Sequence, residues 1–206
     1  MLNKPLKIAD MGCGCGNSTL TMASIFPQAN VHGLDIDKDS IIKAKQNINH
    51  PNITFTGKSV FQLPIRTQIK FLNLEKDMFD VNPDDEEFYD IICFFLCLHD
   101  MTWPTEALKI SKRMLKPGGI VLVAESPAAK TFEEAQSSEA TSVCISSMHC
   151  LPVSRPTSNK FQLPPEDIGN PFRMCQLEKC VANSGFKKCE QVQHPKLISM
   201  SLYLIT

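Results

Sequence analysis

The hydrophobic pattern of the chain changes period several times. Leu6 to Met11 is a short, mostly apolar run and predicts a buried strand. A glycine turn follows. Asn17 or Ser18 is placed to cap a helix through Phe26 with apolar positions Leu20, Met22, Ala23 and Ile25, and Pro27 stops it. Val31 to Ile36 reads as a second strand. Asp39 or Ser40 caps a second helix, whose Ile41, Ile42, Ala44, Lys45 and Ile48 suit a half-buried face.

From Pro51 to Phe79 the pattern blurs. Ile53 to Thr56 and Ile69 to Leu74 alternate like strands, with a loop or insertion over Gly57 to Thr67 and an acidic turn at Asn82 to Glu87. Tyr89 to Leu98, "YDIICFFLCL", is almost wholly apolar and predicts a central strand buried on both faces. A helix over Thr105 to Leu115, a turn at Lys116 to Gly119 and a buried strand from Ile120 to Glu125 come next. Lys130 to Phe172 is irregular and rich in Ser and Pro. Gln176 to Ser184 reads as a helix closed by Gly185. Cys189 to Gln193 and Ser199 to Ile205 read as the last strands. Alternating strands and helices predict an α/β fold with a mostly parallel sheet and helices on both faces. The short link between the closing strands makes them an antiparallel pair.

The chain has 206 residues, which predicts one domain, and a formal net charge of -1. Without a long basic run there is no electrostatic case for nucleic acid. The nine cysteines are odd in number and form no CxxC pair, and Met1 to Pro5 is too polar and too short for the apolar core of a signal segment, so none is expected. Reduced thiols and a cytoplasmic location are expected. No apolar run approaches the ~20 residues of a membrane span, so no membrane is expected as a partner.

The candidate chemistry lies in "KIADMGCGCGNSTL", Lys7 to Leu20. A glycine-rich turn between strand and helix lets a ligand approach the backbone and the helix N-terminus. A dinucleotide fits imperfectly. Asn17 holds the third glycine's place in G-x-G-x-x-G, and the carboxylate of Asp10 would repel a pyrophosphate. S-adenosylmethionine fits better, because Asp10 can take its ammonium in a charge-assisted hydrogen bond. A second acid is then needed for the ribose hydroxyls about 20 residues on, and Asp35 in "VHGLDIDKDS" is there. Asp37 is the weaker candidate. The bland alternatives are that Asp10 merely caps the turn, and that Asp37 and Asp39 are solvated or cap the helix.

At this point the sequence resembles the class I S-adenosylmethionine-dependent methyltransferases. "IADMGCGCG" is similar to their first motif, "VHGLDID" to their second, and "LEKDMFD" to the segment whose acid approaches the adenine amino group. "YDIICFFLCLHD", "MLKPGGIVLVAE" and "VANSGFKK" resemble the fourth strand, the turn with the fifth strand, and the turn before the last two strands. The resemblance implies a Rossmann-like seven-stranded sheet. It places Asp10, Gly12, Cys13, Gly14, Gly16, Asp35, Ile36, Asp77, Met78 and Leu98 at the cofactor. It also implies a methyl acceptor, expected to be a small molecule, held by Leu98 to Trp103 and by a substrate-side insertion over residues 130–172.

There are departures. Cys15 stands where the family more often has Thr or Ser, and the link from Pro51 to Gln68 is long. Only Met1 to Leu6 precede the first strand, where the family has helices. That leads us to expect an open cofactor cleft and self-association. "MHCLPVS", Met148 to Ser154, is similar to a segment of methyltransferases that carry an N-terminal winged-helix module, which would imply a homodimer.

His99 follows the fourth strand, where ligands bind in open α/β folds. It could accept a proton from an acceptor, with Asp100 orienting it, or it could simply line the pocket. Cys93 and Cys97 suit a core. Cys144, His149 and Cys150 match no zinc spacing, so no metal is expected. Relative to the family, no Asn-Pro-Pro-aromatic sequence or paired glutamates follow the fourth strand, which argues against DNA and arginine methylation. The rival expectations are a partner-binding domain without turnover and, third, an NAD enzyme.

Overall fold

The computed structural model describes residues 5–58, 88–126, 163–166, 168–169, 172–193 and 200–206. The predicted strand Ile69 to Leu74, Asp77, Met78, Cys144, His149, Cys150 and nearly all of the 130–172 insertion lie outside them.

The elements are β1 (Lys7–Met11), α1 (Asn17–Ile25), β2 (Asn30–Leu34), α2 (Lys38–Asn47), β3 (Ile53–Thr56), β4 (Tyr89–Phe95), a 3₁₀ turn (Leu98–Asp100), α3 (Pro104–Met114), β5 (Leu115–Glu125), α4 (Met174–Ser184), β6 (Cys189–Val192) and β7 (Ser201–Ile205). The described strands form one seven-stranded sheet in the order β3-β2-β1-β4-β5-β7-β6. β1 and β3 each pair with β2 in parallel, with Asp10 beside Gly33 and Gly33 beside Phe55. β6 and β7 are antiparallel, as their short link predicts.

Several boundaries differ from the sequence expectation, each for a local reason. α1 is capped by Gly16 in a left-handed conformation rather than by Asn17 or Ser18. The Ser18 hydroxyl is engaged by Asp10. α2 is capped by Asp37, which accepts from the N–H groups of Asp39 and Ser40 at 3.2 Å each. β4 stops at Phe95 because Leu96 turns into the left-handed region at φ 54. Lys116 to Gly119, expected to be a turn, and Leu115, expected to end the preceding helix, are the entry of β5, with Gly118 at φ 79.

The chain divides into two compact units, and the division falls within β4 and β5. The first comprises Met1–Cys93 and Ile110–Val121. Its buried residues include Ile8, Met11, Val31, Leu34, Ile92 and Met114, and a cluster of Cys13, Ile41, Ala44 and Phe55 lies under the glycine turn. Asp90 accepts from the Lys7 N–H at 2.8 Å and the Lys116 ammonium at 2.7 Å. A polar chain runs across the same unit. The two ring nitrogens of His32 meet the Tyr89 hydroxyl at 2.7 Å and the Thr56 hydroxyl at 2.8 Å. The second unit comprises Phe94–Lys109 and Leu122–Thr206, with Phe94, Leu108, Val123, Phe172, Leu177 and Ile205 buried.

Candidate cofactor and acceptor sites

β1 carries Asp10 to the start of the glycine turn. Gly12, Gly14 and Gly16 all have positive φ, at 70°, 53° and 88°, a region that side chains disfavour. The N–H groups of Gly12 and Cys13 both donate to the Leu34 carbonyl, at 2.7 and 3.0 Å, so the turn is seated on the end of β2. A Cβ at Gly14 would meet nothing within 4 Å, whereas one at Gly16 would come within 2.7 Å of the Phe55 ring and 2.8 Å of Ile48. Only part of the glycine pattern therefore leaves space for a ligand. Gly16 is bare so that Phe55 can pack beneath the turn, a partner not evident from the motif.

Asp10 is 1% exposed. Its Oδ2 accepts from the hydroxyls of Ser18 and Thr19, both at 2.6 Å. Its Oδ1 is buried with no hydrogen-bond partner. Burial raises its pKa above the usual carboxylate range, the two hydroxyls oppose that, and the charge of Asp35 adds to it. Asp10 thus fastens β1 to the first turn of α1 and keeps one acceptor oxygen unused. Asp35 accepts from the Gly14 N–H at 2.7 Å through Oδ2 and from the Asp37 N–H at 2.8 Å through Oδ1. The structure thus brings Asp10, the glycines and Asp35 together within the first unit. Ile36, next to Asp35, is 71% exposed. The Cys13 thiol is buried, and burial together with Asp10 and Asp35 pushes its pKa up to about 12. It is an inert packing group.

In the second unit, Leu98 is fully buried and His99 is 5% exposed. His99 Nδ1 meets Glu125 Oε2 at 2.5 Å, its N–H donates to Glu125 Oε1 at 3.3 Å, and Nε2 lies 3.3 Å from Asp100 Oδ1. Burial pulls the imidazole pKa down, but the Glu125 hydrogen bond, the Glu125 charge and Asp100 outweigh it, and the net shift is upward. Glu125, itself fully buried, was not singled out from the sequence. The available signal was a charged residue closing the apolar run Ile120 to Ala124. Asp100 lies beside Nε2, but its Oδ1 is buried without a hydrogen bond, and the residue that holds the ring by a hydrogen bond is Glu125. Among the described residues no group of His, Cys, Asp and Glu could hold a metal ion, and no helix is long and apolar enough to cross a membrane.

Sheet order and glycine turn define a Rossmann-like α/β protein of the methyltransferase type. The chain belongs to the methyltransferase-domain family, whose model matches residues 2–170. Malonyl-[acyl-carrier protein] O-methyltransferase of Halalkalibacterium halodurans is 29% identical over 121 residues, covering 58% of this chain and 39% of that protein. Trans-aconitate 2-methyltransferase of Rhodopseudomonas palustris is 33% identical over 72 residues, covering 35% of this chain and 28% of that protein. The fold is similar to human N-acetylserotonin methyltransferase, solved in complex with SAM, with a TM-score of 0.64 and 18% identity over 97% of this chain and 46% of that one. The chain spans less than half the length of each.

Proposed function

We propose that this chain binds S-adenosylmethionine in its first unit and transfers the methyl group to a small acceptor. One observation carries the cofactor assignment: Asp10 Oδ1 is buried without a partner at the mouth of a glycine turn. A spare carboxylate oxygen there suits an ammonium and opposes a pyrophosphate. Gly12, Cys13 and Gly14 would border the methionine part, with Gly16 keeping the turn seated on Phe55. Asp35, whose two oxygens retain lone pairs beyond their backbone bonds, would take the ribose hydroxyls. Exposed Ile36 would cover one face of the adenine. Asp77, Met78 and Leu98 complete the assignment on the strength of the motif resemblance.

The bound cofactor supplies a methyl group already activated by the sulfonium, so the protein's task is alignment and exclusion of water. His99 is assigned to the acceptor side. With Glu125 holding Nδ1, Nε2 is the nitrogen available to an acceptor proton once the ring is neutral. The names of two relatives, a malonyl-[acyl-carrier protein] O-methyltransferase and a trans-aconitate 2-methyltransferase, support a small acceptor group.

One observation favours a second reading, binding without turnover. Each ring nitrogen of His99 meets a carboxylate, and the two carboxylates favour the protonated ring. Calorimetry with S-adenosylhomocysteine and NAD, followed by turnover against an acceptor panel, decides. Binding of NAD alone sinks the cofactor assignment. Binding of S-adenosylhomocysteine without turnover on any acceptor favours the second reading.

A further inference from the structure

Residues 163–166 are hydrogen-bonded to the segment that leads into α3. Within the second unit the Glu166 N–H donates to the Thr102 carbonyl at 3.0 Å. The Thr105 N–H donates to Glu166 Oε1 at 3.1 Å, and the Thr105 hydroxyl to Oε2 at 2.8 Å. The Trp103 Nε1–H donates to the Leu163 carbonyl at 3.3 Å. The Cys180 thiol of α4 reaches Glu166 Oε2 at 3.6 Å. The first N–H groups of a helix have no acceptor inside it. Pro104 opens α3 and has no N–H, and the next one, on Thr105, is satisfied by a carboxylate 61 residues away. A negative charge at that end is also favoured by the helix dipole.

The segment so fastened is the continuation of the 3₁₀ turn that holds His99 and Asp100. Its entry is fixed to β5 by the Leu96 N–H to the Ala124 carbonyl at 2.8 Å and by the His99 N–H to Glu125. Its exit is fixed by Glu166. Asp100 lies between these points and is 37% exposed at the side chain, so its place beside Nε2 depends on the turn being closed at both ends. We propose that Glu166 is a positioning residue for His99, closing the exit of the 98–105 turn so that Asp100 stays against Nε2 while Glu125 holds Nδ1. The consequence for turnover rests on the acceptor-side assignment above, but the placement does not.

The experiment therefore reads the ring itself. The ionisable groups acting on His99 are Glu125 from β5 and its neighbour Asp100, and the Glu125 charge also helps to raise the pKa of Tyr203 on β7. In the full chain, the His99 ring resonances are assigned by difference with His99→Gln and titrated in wild type and in Glu166→Ala. The expected result is a midpoint lower by a few tenths of a pH unit in Glu166→Ala, with S-adenosylhomocysteine affinity within about twofold of wild type. A midpoint that superimposes on wild type overturns the proposal, whatever the fall in Tm, and leaves Glu166 a helix cap only. Should Glu166→Ala not fold, Thr105→Val removes the hydroxyl bond alone, and the same two outcomes apply. A wild-type chain that fails to bind S-adenosylhomocysteine would sink the cofactor assignment and leave the ring titration to decide this one.

Discussion

The backbone N–H of Gly14 donates to the carboxylate of Asp35 at 2.7 Å. The residue proposed to hold the ribose thus also holds the turn that borders the rest of the cofactor. Asp35→Ala should weaken S-adenosylhomocysteine binding by about 1.5–3 kcal/mol, the range for hydrogen bonds to charged groups, and Asp10→Ala by a similar amount. Asp37→Ala should lose much less affinity. Its carboxylate caps α2, and its hydrogen bonds to Ser40 and Asp39 hold its pKa below the usual range, so its loss should appear in helix stability. Calorimetry on the folded variants checks this, and a larger binding loss for Asp37→Ala than for Asp35→Ala would reverse the assignment.

Gly14 and Gly16 should fail differently. Gly16→Ala drives a methyl group to 2.7 Å from the Phe55 ring at φ 88. Overpacking of about 1–3 kcal/mol adds to left-handed strain of about 1–2 kcal/mol, so urea denaturation should show a large loss, partly restored by Phe55→Leu. Gly14→Ala meets no atom within 4 Å. It should carry only the strain, about 1–2 kcal/mol, and lose more in cofactor affinity than in stability. Equal stability losses in the two variants would contradict the packing role of Gly16.

Acid should act on the first unit through His32. Burial lowers its pKa from 6.5 to about 4. Between those values the unfolded chain binds a proton that the folded chain does not, so stability falls as pH drops through that window and is unaffected by this group above it. Because the ring is only partly buried, the loss on reaching pH 4 should be about 1–2 kcal/mol rather than the full linkage value. His32→Asn should flatten that part of the stability–pH curve, and a wild-type slope in the variant would remove His32 as its cause.

The sign reverses for His99. Its folded pKa is raised, so its contribution is complete below the unfolded value and is lost as pH rises through the raised one. Glu125→Ala removes the carboxylate from Nδ1 of a buried ring, leaving only Asp100 beside it, and should cost about 3–5 kcal/mol. Glu125→Gln should lower the His99 midpoint in a ring titration. If His99 is the base, turnover in wild type rises with pH through its raised pKa, and His99→Ala slows it strongly with cofactor affinity intact. A flat profile with a near-normal rate in His99→Ala would leave the residue a structural one.

Strands and helices were readable where one period dominated. β3 was placed on its observed residues and β1 to within one, because apolar runs of that length between turn residues have few alternatives. Ends set by side-chain competition were misplaced. Ser18 was a cap by composition, yet its hydroxyl goes to Asp10. Nothing in "CFFLCL" marks the left-handed backbone of Leu96 that ends β4. In the site, Asp10 and Asp35 were identifiable because charge is rare at the ends of buried strands. Phe55 and Glu166 were not, since each meets its partner across a sequence separation that only the fold closes; Glu125 carries the same signal, a charge closing an apolar run, but its partner His99 is evident only in the fold.

Gly16, Gly33 and Phe55 form one steric unit, for the Phe55 ring would also lie 2.7 Å from a Cβ at Gly33. Three positions far apart in sequence therefore share one volume. In descendants of this sequence they should drift as a set. A side chain gained at 16 or 33 requires a smaller residue at 55, whereas a lineage that keeps the aromatic ring is bound to both glycines whatever ligand the turn comes to hold.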